Sequence, residues 1–567
     1  MTTDTEMVRA DEGTASFELD HAELGTPALS VLYGSQTGNA EFLASQIADQ
    51  ANAQGYAAEL MSLELLTVEE AARKDRLLIV TATHDNGHMP DNAQAFWDGL
   101  GRADTPLFKD VPFAVLAIGD SMYDDFCKAG IDIDQRIGDL GGRRMSDRID
   151  CDVDYDLTSG KWISSVLEKF KTVAPRQHAS DAPAASASNA QRSEQAKVTR
   201  KEPDTATIAA ARLLSAPGAE KEVWHYELEV SGDSRHYRPG DSLAVIPTNS
   251  AQLVDDLISS LNLQGSEVFN GQSKPVKEAL LNDLELRLPH LGLVAWMVEP
   301  LAAEHPVKKL VESGDRAALE DWLWGRDVVD VIAETRAGDL DPQEFMSMLR
   351  PLQHRSYSIA SSPLADGERV HLTVSSVKYD ARDRKHTGAC SGFLEEAARS
   401  NTQLKVFPLP AHEFHLPEDS STDVIMVGPG VGIAPFRGFL RDRYSSGAQG
   451  RNWLFFGDRH EKPLWLYQDE MESALNDGAL NRLSLAFSRD HATKVYVQDR
   501  IRESGTEIFA WLNAGAAVYV CGDKRMAPDI DDALIAVLCE HGGLSQDSAH
   551  EYVLAMKYDS RYVKDVY

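Results

Sequence analysis

Four short motifs in the last third of the chain carry residues whose types and spacing suit a phosphorylated dinucleotide. In order, they are residues 428–435, 488–489, 494–498 and 521–523. The glycines of the first motif let backbone N–H groups approach a pyrophosphate, because no Cβ stands in the way. Arg489 and Lys494 are cations of the kind that holds a 2′-phosphate, which favours NADPH over NADH. Each motif alone is weak evidence, and their order along the chain carries the prediction.

Two groups of residues near the N-terminus suit a flavin with a single phosphate. Residues 33–40 combine glycines and hydroxyl side chains between an apolar run and a helical pattern, which predicts an anion site at a helix N-terminus. Residues 119–123 end a later apolar run and offer the ring of Tyr123 for stacking on a flat heterocycle. An ordinary helix cap and surface packing of Tyr123 are the structural alternatives.

Residues 355–362 form a second flavin-type motif. Arg355 can neutralise a pyrophosphate, Tyr357 offers a stacking face, and Ser358 can hydrogen-bond near the reactive N5 edge. Residues 388–391 precede a predicted helix at 392–398 and again suit a phosphate. The structural alternative is that the residues of this second motif are only a serine-rich strand of the barrel.

A loop at residues 81–90 would close the other side of the first flavin ring. His84 and His88, with Asp85 between them, could suggest a metal. Because these residues lie in a loop and no further strong ligand set is visible in the sequence, no metal site is predicted.

The elements that must position these motifs fall into three patterns. Apolar runs at 30–33, 76–82 and 113–119, with helical patterns at 40–54 and 92–100, predict a doubly wound α/β unit ending near Phe170. Strand patterns at 222–230 and 370–377 predict an antiparallel barrel, with a helical insertion at about 250–348. The α/β rhythm returns at residue 423, and the run 516–520 predicts a strand ending at a ligand crevice.

Length and composition limit the class of protein. The 567 residues suggest about 4 domains. No apolar run reaches 18 residues, which argues against a transmembrane helix. The first residues are acidic and polar, unlike a secretory signal, so the cytoplasm is expected. The five cysteines (Cys127, Cys151, Cys390, Cys521, Cys539) form no CxxC pair, which argues against a disulfide framework and a structural zinc site.

The net charge of −33 argues against nucleic acid or an anionic membrane as the main partner. Acidic residues cluster around the first flavin motif: Asp120, Asp124, Asp125, Asp132, Asp134, Asp139, Asp147, Asp150, Asp152, Asp154 and Asp156. A solvated acidic surface and a docking face for a basic partner are both consistent with this cluster.

Together these motifs closely resemble the diflavin reductase family, from about residue 28 to residue 567. Within the family the chain is most similar to the flavoprotein (alpha) subunits of NADPH–sulfite reductases, on residues 126–130 through 140–142, 452–457 and 561–567. The resemblance implies a flavodoxin-like α/β FMN domain, an antiparallel β-barrel FAD domain with a helical insertion, and a ferredoxin–NADP reductase-like α/β nicotinamide-binding domain. The expected ranges are a disordered leader at 1–27, then 28–172, a flexible linker at 173–198, 199–418 and 419–567.

The resemblance also implies which residues hold each cofactor. For FMN they are Ser35, Gln36, Thr37, Gly38, Asn39, Ala40, Ala82, Thr83, His84, Asp85, Ile118, Gly119, Asp120, Ser121, Met122, Tyr123, Asp124, Asp125, Phe126 and Cys127. For FAD they are Arg355, Ser356, Tyr357, Ser358, Thr373, Val374, Ser375, Tyr379, Gly388, Ala389, Cys390, Ser391 and Tyr567. For NADPH they are Gly430, Ser488, Arg489, Lys494, Val495, Tyr496, Val497, Gln498 and Asp529.

The implied reaction is electron transfer from NADPH to FAD, then to FMN, then to the sirohaem iron–sulfur subunit of sulfite reductase. Ser358, Cys521 and Asp565 resemble the polar set that assists hydride transfer, and Tyr567 is expected to cover the FAD ring. The chain has no cysteine cluster for an iron–sulfur site, so sulfite is not expected to be reduced on it. Asp85 and Asn86 replace the family's usual Gly and Glu, so FMN affinity or potential is expected to differ while binding is kept.

Two other functions fit the sequence. One is a diflavin reductase for another haem acceptor, such as a soluble cytochrome. The other is a flavodoxin-like carrier with an inactive nicotinamide domain, against which the intact Ser488, Arg489, Cys521 and Asp529 argue. The resemblance also leaves open whether the chain forms a homo-oligomer.

Overall fold

The computed structural model describes residues 27–35, 39–83, 87–103, 106–119, 125–152, 155–173, 202–269, 273–335, 340–411 and 413–567. The predicted leader and nearly all of the predicted linker therefore lie outside the described residues. Three sheet-based units follow one another along the chain, two of them parallel and one antiparallel.

The first unit is a parallel sheet with helices on both faces. Its strands are β1 (Ala28–Gly34), β2 (Ala57–Ser62), β3 (Leu77–Ala82), β4 (Pro112–Ile118), β5 (Arg143–Arg144) and β6 (Ile149–Cys151). Its helices are α1 (Asn39–Ala53), α2 (Val68–Ala72), α3 (Asp91–Arg102), α4 (Lys128–Asp139) and α5 (Tyr155–Lys171), with a 3₁₀ turn at Leu63–Leu65. The strand order is β2-β1-β3-β4-β5, with β6 also beside β4.

Alternate residues of the central strands enter two different cores in this unit. Val31 packs with α1 and α5, whereas its neighbour Leu32 packs with α2, α3 and α4. This follows from the strand period of two, because a sheet covered on both faces buries every residue of its central strands. The predicted runs at 30–33, 76–82 and 113–119 match β1, β3 and β4 to within a few residues.

The second unit is built on an antiparallel sheet. Its strands are β7 (Asp204–Leu213), β8 (Val223–Val230), β9 (Ser242–Ile246), β10 (Arg355–Ser358), β11 (Arg369–Ser375), β12 (Lys378–Ala381), β13 (Arg384–Thr387) and β14 (Leu404–Leu409). The strand order is β10-β9-β14-β7-β8-β11, and β12 pairs with β13 as a separate hairpin. An isolated antiparallel bridge between Ile359 and Leu372 links the two ends of the six-stranded path.

A group of helices is inserted between β9 and β10. They are α6 (Ala251–Ser260), α7 (Val276–Asn282), α8 (Leu291–Val298), α9 (Pro306–Glu312), α10 (Arg316–Leu323), α11 (Val328–Thr335) and α12 (Pro342–Met348). These helices share a core of their own, in which Leu257, Leu293 and Phe345 are fully or almost fully buried. They occupy the stretch at about 250–348 for which the sequence predicts a helical insertion. The unit also contains α13 (Pro363–Asp366), α14 (Ala389–Ser400) and a 3₁₀ turn at Gly232–Arg235.

The third unit is again parallel. Its strands are β15 (Val424–Val427), β16 (Asn452–Asp458), β17 (Arg482–Phe487), β18 (Ala517–Gly522) and β19 (Tyr562–Val566), in the order β17-β16-β15-β18-β19. Its helices are α15 (Ile433–Ser446), α16 (Glu461–Leu464), α17 (Gln468–Asn476), α18 (Val497–Glu503), α19 (Gly505–Asn513), α20 (Ala527–Gly542) and α21 (Gln546–Tyr558). The 3₁₀ turns are Gly430–Gly432 and Lys524–Met526.

Two predicted boundaries change in the structure, and one strand was not predicted. Helix α14 begins at Ala389 rather than at residue 392, so only Gly388 of the 388–391 motif precedes the helix. Strand β18 continues through Cys521 and Gly522 instead of ending at residue 520. The C-terminal strand β19 was not predicted; it forms because its backbone pairs in parallel with β18, from Val518↔Tyr562 to Gly522↔Val566.

A partly buried ion pair joins the first and third units. Lys557 Nζ on α21 lies 2.8 Å from Glu64 Oε2 in the turn after β2, and the Lys557 side chain is 11% exposed. Within the ranges described above, no helix combines the length and apolar character needed to cross a membrane.

Candidate functional site

The carboxyl ends of β1, β3 and β4 gather the described part of the first predicted flavin site. The Thr83 amide donates to the Ile118 carbonyl over 2.8 Å, which ties the loop after β3 to the end of β4. The Ser35 amide donates to Asn92 Oδ1 over 2.8 Å. In a sheet of order 2-1-3-4-5, ligands bind where the strand order reverses, between β1 and β3.

Ser35 shows that this edge fits a phosphate. Its Oγ is buried and has no hydrogen-bond partner among the described residues. A buried hydroxyl without a partner is costly, and a phosphate oxygen would satisfy it. Asn39 and Ala40 begin helix α1, so the phosphate would also lie at a helix N-terminus.

Two loops meet beside this edge. Gly87 has φ +83°, and a Cβ there would lie 2.7 Å from the Asp125 Cβ. A Cβ at Gly119 would lie 2.6 Å from the Cys127 amide nitrogen, so both glycines are required by close approach. Burial raises the pKa of the Cys127 thiol, which therefore stays protonated. Gln36, Thr37, Gly38, His84, Asp85, Asp120, Ser121, Met122, Tyr123 and Asp124 lie outside the described residues.

Strand β10 carries the predicted FAD residues at one end of the antiparallel path. Tyr357 is partly buried and pairs with Leu243 of β9, while Ser356 points to the exposed side. Arg355 Nη1 donates to the carbonyl oxygens of Gln353 and His354, at 3.1 Å each. Desolvation raises the pKa of the Tyr357 hydroxyl well above its ordinary value.

Two other predicted FAD hydroxyls bond within the protein. Thr373 is buried, and its Oγ1 lies 2.7 Å from the Tyr467 hydroxyl, which also lies 2.8 Å from His225 Nδ1. Ser391 Oγ accepts from the Val377 amide over 3.2 Å, which fixes the start of α14. Val374 is a core residue, and Ser375 pairs with Val223 of β8.

Tyr379 lies in an aromatic stack. Its ring is 5.1 Å from that of His386 with an interplanar angle of 7°, and 5.8 Å from Trp324 at 29°. The Trp324 side is open to solvent, because Trp324 is 68% exposed. Gly388 caps α14 and donates its amide to the Val377 carbonyl over 2.8 Å. Burial raises the pKa of the neighbouring Cys390 thiol to about 12.

The three residues predicted to assist hydride transfer lie together between the second and third units. Ser358 Oγ donates to Asp565 Oδ2 over 2.8 Å, and Cys521 Sγ lies 3.7 Å from the same oxygen. Cys521 and Asp565 are register partners on β18 and β19, which fixes their side chains on one face. Burial raises the pKa of the Asp565 carboxyl, and the bonds from Ser358 and Cys521 offset this in part.

The glycine-rich loop after β15 packs against the end of β18. A Cβ at Gly432 would lie 2.1 Å from the Cys521 carbonyl oxygen, so only glycine fits there. Gly430 has φ +59° and lies at the start of the turn that leads into α15. The sheet order reverses at β15 and β18, which is where a dinucleotide crevice forms in such folds. The loop therefore fits a pyrophosphate.

Arg489 is part of a cationic cluster whose other members were not predicted from the sequence. Arg489 Nη1 lies 3.1 Å from both carboxylate oxygens of Glu220, and Arg459 and His460 reach the same carboxylate. The Ser488 amide donates to the Asp458 carbonyl over 3.0 Å, which places the end of β17 beside the end of β16. Arg459 comes just after an apolar strand in the sequence, and this position could have indicated that it belongs to the site.

The other predicted NADPH residues surround the start of α18. Gln498 Nε2 donates to Asp529 Oδ2 over 3.0 Å, so the structure brings these two together. Val497 is buried at the first position of the helix, while Val495 is partly buried and Tyr496 is exposed. Lys494 is exposed and forms no ion pair with any residue that the structure describes.

The backbone of Tyr567 is tethered at both its amide and its carbonyl oxygen. Its amide donates to the Gly522 carbonyl over 3.1 Å, and its carbonyl accepts from the Lys524 amide over 3.2 Å. The residue as a whole is 52% exposed, next to the strand that carries Asp565.

One group of potential metal ligands lies in the helical insertion and the β12–β13 hairpin. Ligand atoms of Asp327, Asp330 and His386 lie within 4.8 Å of one another. Arg384 Nη1 lies 3.0 Å from Asp327 Oδ1 and 2.5 Å from Asp330 Oδ1. A guanidinium already neutralises these carboxylates, so the cluster is explained as an ion pair.

Comparison with known families assigns each unit. A model described as Flavodoxin matches residues 31–160, one described as FAD binding domain matches 196–285 and 300–393, and one described as Oxidoreductase NAD-binding domain matches 426–532. These matches agree with the order of the three units and with the three cofactors that the sequence predicts.

Relatives match almost the whole chain. A protein named sulfite reductase [NADPH] flavoprotein alpha-component, from Bacillus subtilis (strain 168), is 39% identical over 555 residues, covering 96% of this chain and 91% of the relative. Proteins of the same name from Photorhabdus laumondii and Vibrio parahaemolyticus are 35% and 37% identical over 542 residues, covering 95% of this chain and 90% and 86% of theirs. The chain is therefore an NADPH-dependent flavoprotein oxidoreductase with FMN, FAD and NADPH sites, and it belongs to the diflavin reductases of the sulfite reductase flavoprotein alpha-component family.

Proposed function

We propose that this chain passes electrons from NADPH, through FAD and then FMN, to the sirohaem iron–sulfur hemoprotein subunit of an assimilatory sulfite reductase, which reduces sulfite to sulfide. The observation that carries the proposal is the Ser358–Asp565–Cys521 group, which joins the FAD-type sheet to the nucleotide-type sheet. Similarity to proteins named for sulfite reductase along 95–96% of the chain supports the choice of partner. When bound, the flavins supply the chemistry, because a flavin accepts a hydride and releases electrons singly.

The proposal assigns the residue sets predicted from the sequence to the three cofactors. The Ser35 hydroxyl and the N-terminus of α1 would bind the FMN phosphate, since this hydroxyl is buried without a described partner. Arg355 and Tyr357 would hold the FAD pyrophosphate and ring, with Gly388 at the N-terminus of α14 as a further phosphate contact. Tyr567 would also cover the ring.

The nucleotide would lie along the crevice between β15 and β18. The glycine loop around Gly430 would face its pyrophosphate, Arg489 and Lys494 its 2′-phosphate, and Gln498 and Asp529 the rest of its adenosine half. Asp565 Oδ2, fixed by Ser358 and close to Cys521, would orient the reacting edge and hold charge there. The buried thiol of Cys521, whose pKa is raised by desolvation, stays uncharged.

The proposal includes the domain boundaries at 28–172, 199–418 and 419–567. It also includes closure of the antiparallel sheet into a barrel, supported by the bridge between Ile359 and Leu372 at the ends of the strand path. The acidic residues that the sequence clusters around the first flavin motif would dock a basic surface of the hemoprotein, since opposite charges steer association.

Reconstitution tests the partner. The purified chain should release FMN and FAD in near-equal amounts on denaturation, and NADPH should bleach the flavin absorbance. Mixed with the sirohaem iron–sulfur subunit, NADPH and sulfite, it should form sulfide, and neither protein should do so alone. Reduction of a soluble cytochrome without any sulfide formation in the presence of the hemoprotein would instead support the cytochrome-reductase alternative.

A further inference from the structure

A single carboxylate from the second unit collects the cations of the nucleotide site in the third. Glu220 lies in the loop between β7 and β8, whereas Arg459, His460 and Arg489 follow β16 and β17. Arg489 Nη1 is 3.1 Å from both Glu220 oxygens, Arg459 Nη1 is 2.5 Å from Oε2, and His460 Nε2 is 3.3 Å from Oε1. Several cationic or N–H donors converging on one anion are the arrangement that a phosphate group takes in proteins.

The loop that carries Glu220 is held in place without it. The Ala216 amide donates to the Pro463 carbonyl over 2.9 Å, and Lys221 Nζ lies 2.8 Å from Asp458 Oδ2. The Leu214 amide also bonds the Val223 carbonyl, over 2.7 Å, at the base of the loop. The Glu220 side chain can therefore rotate away from the cations without moving the loop backbone.

The cluster is open to a ligand. The Glu220 side chain is 37% exposed, and those of Arg489 and Arg459 are 48% and 47% exposed. The bond from Arg459, followed by the charge of Arg489, lowers the pKa of Glu220, so the carboxylate remains an anion at neutral pH. An incoming anion must therefore displace the Glu220 carboxylate to reach these cations.

We propose that Glu220 is an internal competitor of the NADPH 2′-phosphate: it holds Arg489, Arg459 and His460 in the free protein and is displaced when the phosphate binds. The inference rests on the proposed function, which places the 2′-phosphate at Arg489. The Glu220 contacts are lost when a 2′-phosphorylated nucleotide binds, so their free energy makes the binding of every such nucleotide weaker. A nucleotide without that phosphate displaces nothing. Glu220 therefore limits the preference for NADPH and speeds the release of NADP⁺.

Calorimetric titration of the flavin-loaded protein with NADP⁺, NAD⁺ and 2′,5′-ADP tests the inference. Glu220→Gln keeps the size of the side chain and removes its charge. Because exposed ion pairs contribute modestly, the Kd values for NADP⁺ and 2′,5′-ADP should fall roughly three- to tenfold, while that for NAD⁺ should change less than about twofold. Glu229→Gln is the matched control, since Glu229 is an exposed acid on β8 that pairs with Arg369, and it should change none of these values.

Two further variants separate the inference from the proposed function. Arg489→Ala should weaken NADP⁺ far more than NAD⁺, and in that background Glu220→Gln should lose most of its effect, since the two residues are coupled. If Arg489→Ala acts while Glu220→Gln leaves NADP⁺ binding unchanged or weaker, only the competitor role is overturned. If Arg489→Ala affects both nucleotides equally, the 2′-phosphate site is wrong and the inference fails with it.

Discussion

Ser358 Oγ donates to Asp565 Oδ2 over 2.8 Å, across the boundary between the antiparallel sheet and the C-terminal parallel sheet. The two residues are 207 positions apart in the sequence. One hydrogen bond thus fixes the FAD-type strand β10 against the last strand of the nucleotide-binding unit. The geometry of this bond depends on how the two units pack. A change at Ser358 can therefore alter the alignment of the units as well as the rate of hydride transfer.

Ser358→Ala should slow flavin reduction by NADPH. A hydrogen bond to a charged group is worth roughly 1.5–3 kcal/mol, which corresponds to about tenfold or more in rate if the bond is needed in the transition state. Anaerobic stopped-flow absorbance measures this step directly. Ser362→Ala is the matched control, because Ser362 Oγ makes a 2.6 Å bond to Asp442 between the same two units. An equal slowing in both variants would show that Ser358 only holds the units together.

Asp565→Asn should change how stability depends on pH. Burial raises the folded-state pKa of the carboxyl, so its contribution to stability is fully present below the unfolded pKa of about 3.9. That contribution is lost as the pH rises through the higher folded-state pKa. Asparagine does not ionise, so the variant should gain stability relative to the parent chain as pH increases above about 4. Thermal unfolding midpoints measured from pH 4 to pH 8 should therefore diverge, and parallel curves would contradict a raised pKa.

Much of the site was predictable because it follows strands that the sequence marks clearly. The apolar runs that became β1, β3 and β4 are long enough to identify, and ligand residues follow the ends of parallel strands. The glycine loop at 428–432 was predicted for the same reason. The sequence pattern only suggested that a glycine is needed in this loop. The close approach of Gly432 to Cys521 explains why.

Two parts of the site were not predictable from local pattern. Strand β19 is five residues long with Lys564 and Asp565 inside it, and it forms only through pairing with β18. Glu220 meets Arg489 across 269 positions, and no local periodicity encodes such a distant pair. The start of α14 was placed three residues late, because small residues such as Ala389 and Ser391 resemble a loop in sequence although they suit a helix that packs closely.

Gly432→Ala should disrupt the nucleotide crevice by a steric effect alone. Gly432 has φ −61°, which alanine adopts easily, but the new Cβ would lie 2.1 Å from the Cys521 carbonyl oxygen. Overpacking of this kind costs roughly 1–3 kcal/mol. The thermal midpoint and the affinity for NADP⁺ should both fall. Gly101→Ala is the control, because a Cβ there meets nothing within 4 Å; a similar loss in that variant would exclude a local cause.

Tyr567→Ala should tighten nicotinamide binding and weaken the preference for NADPH. The Tyr567 backbone is held by Gly522 and Lys524, and we expect its ring to cover the FAD ring and to move aside while the backbone stays in place. Aromatic stacking contributes roughly 0.5–1.5 kcal/mol beyond area burial, and nicotinamide must compete with it. Without the ring, NADH no longer faces that competition, so its KM should fall more than that of NADPH.

Release of oxidised nucleotide should also slow in the Tyr567→Ala variant, because the ring no longer returns to displace nicotinamide. Steady-state kinetics with both nucleotides, with stopped-flow traces of product release, measure these effects. Tyr558→Ala is the control, since Tyr558 is 64% exposed at the end of α21 in the same unit. If Tyr567→Ala and Tyr558→Ala both behave like the parent chain with each nucleotide, Tyr567 is only a packed terminus and does not gate the site.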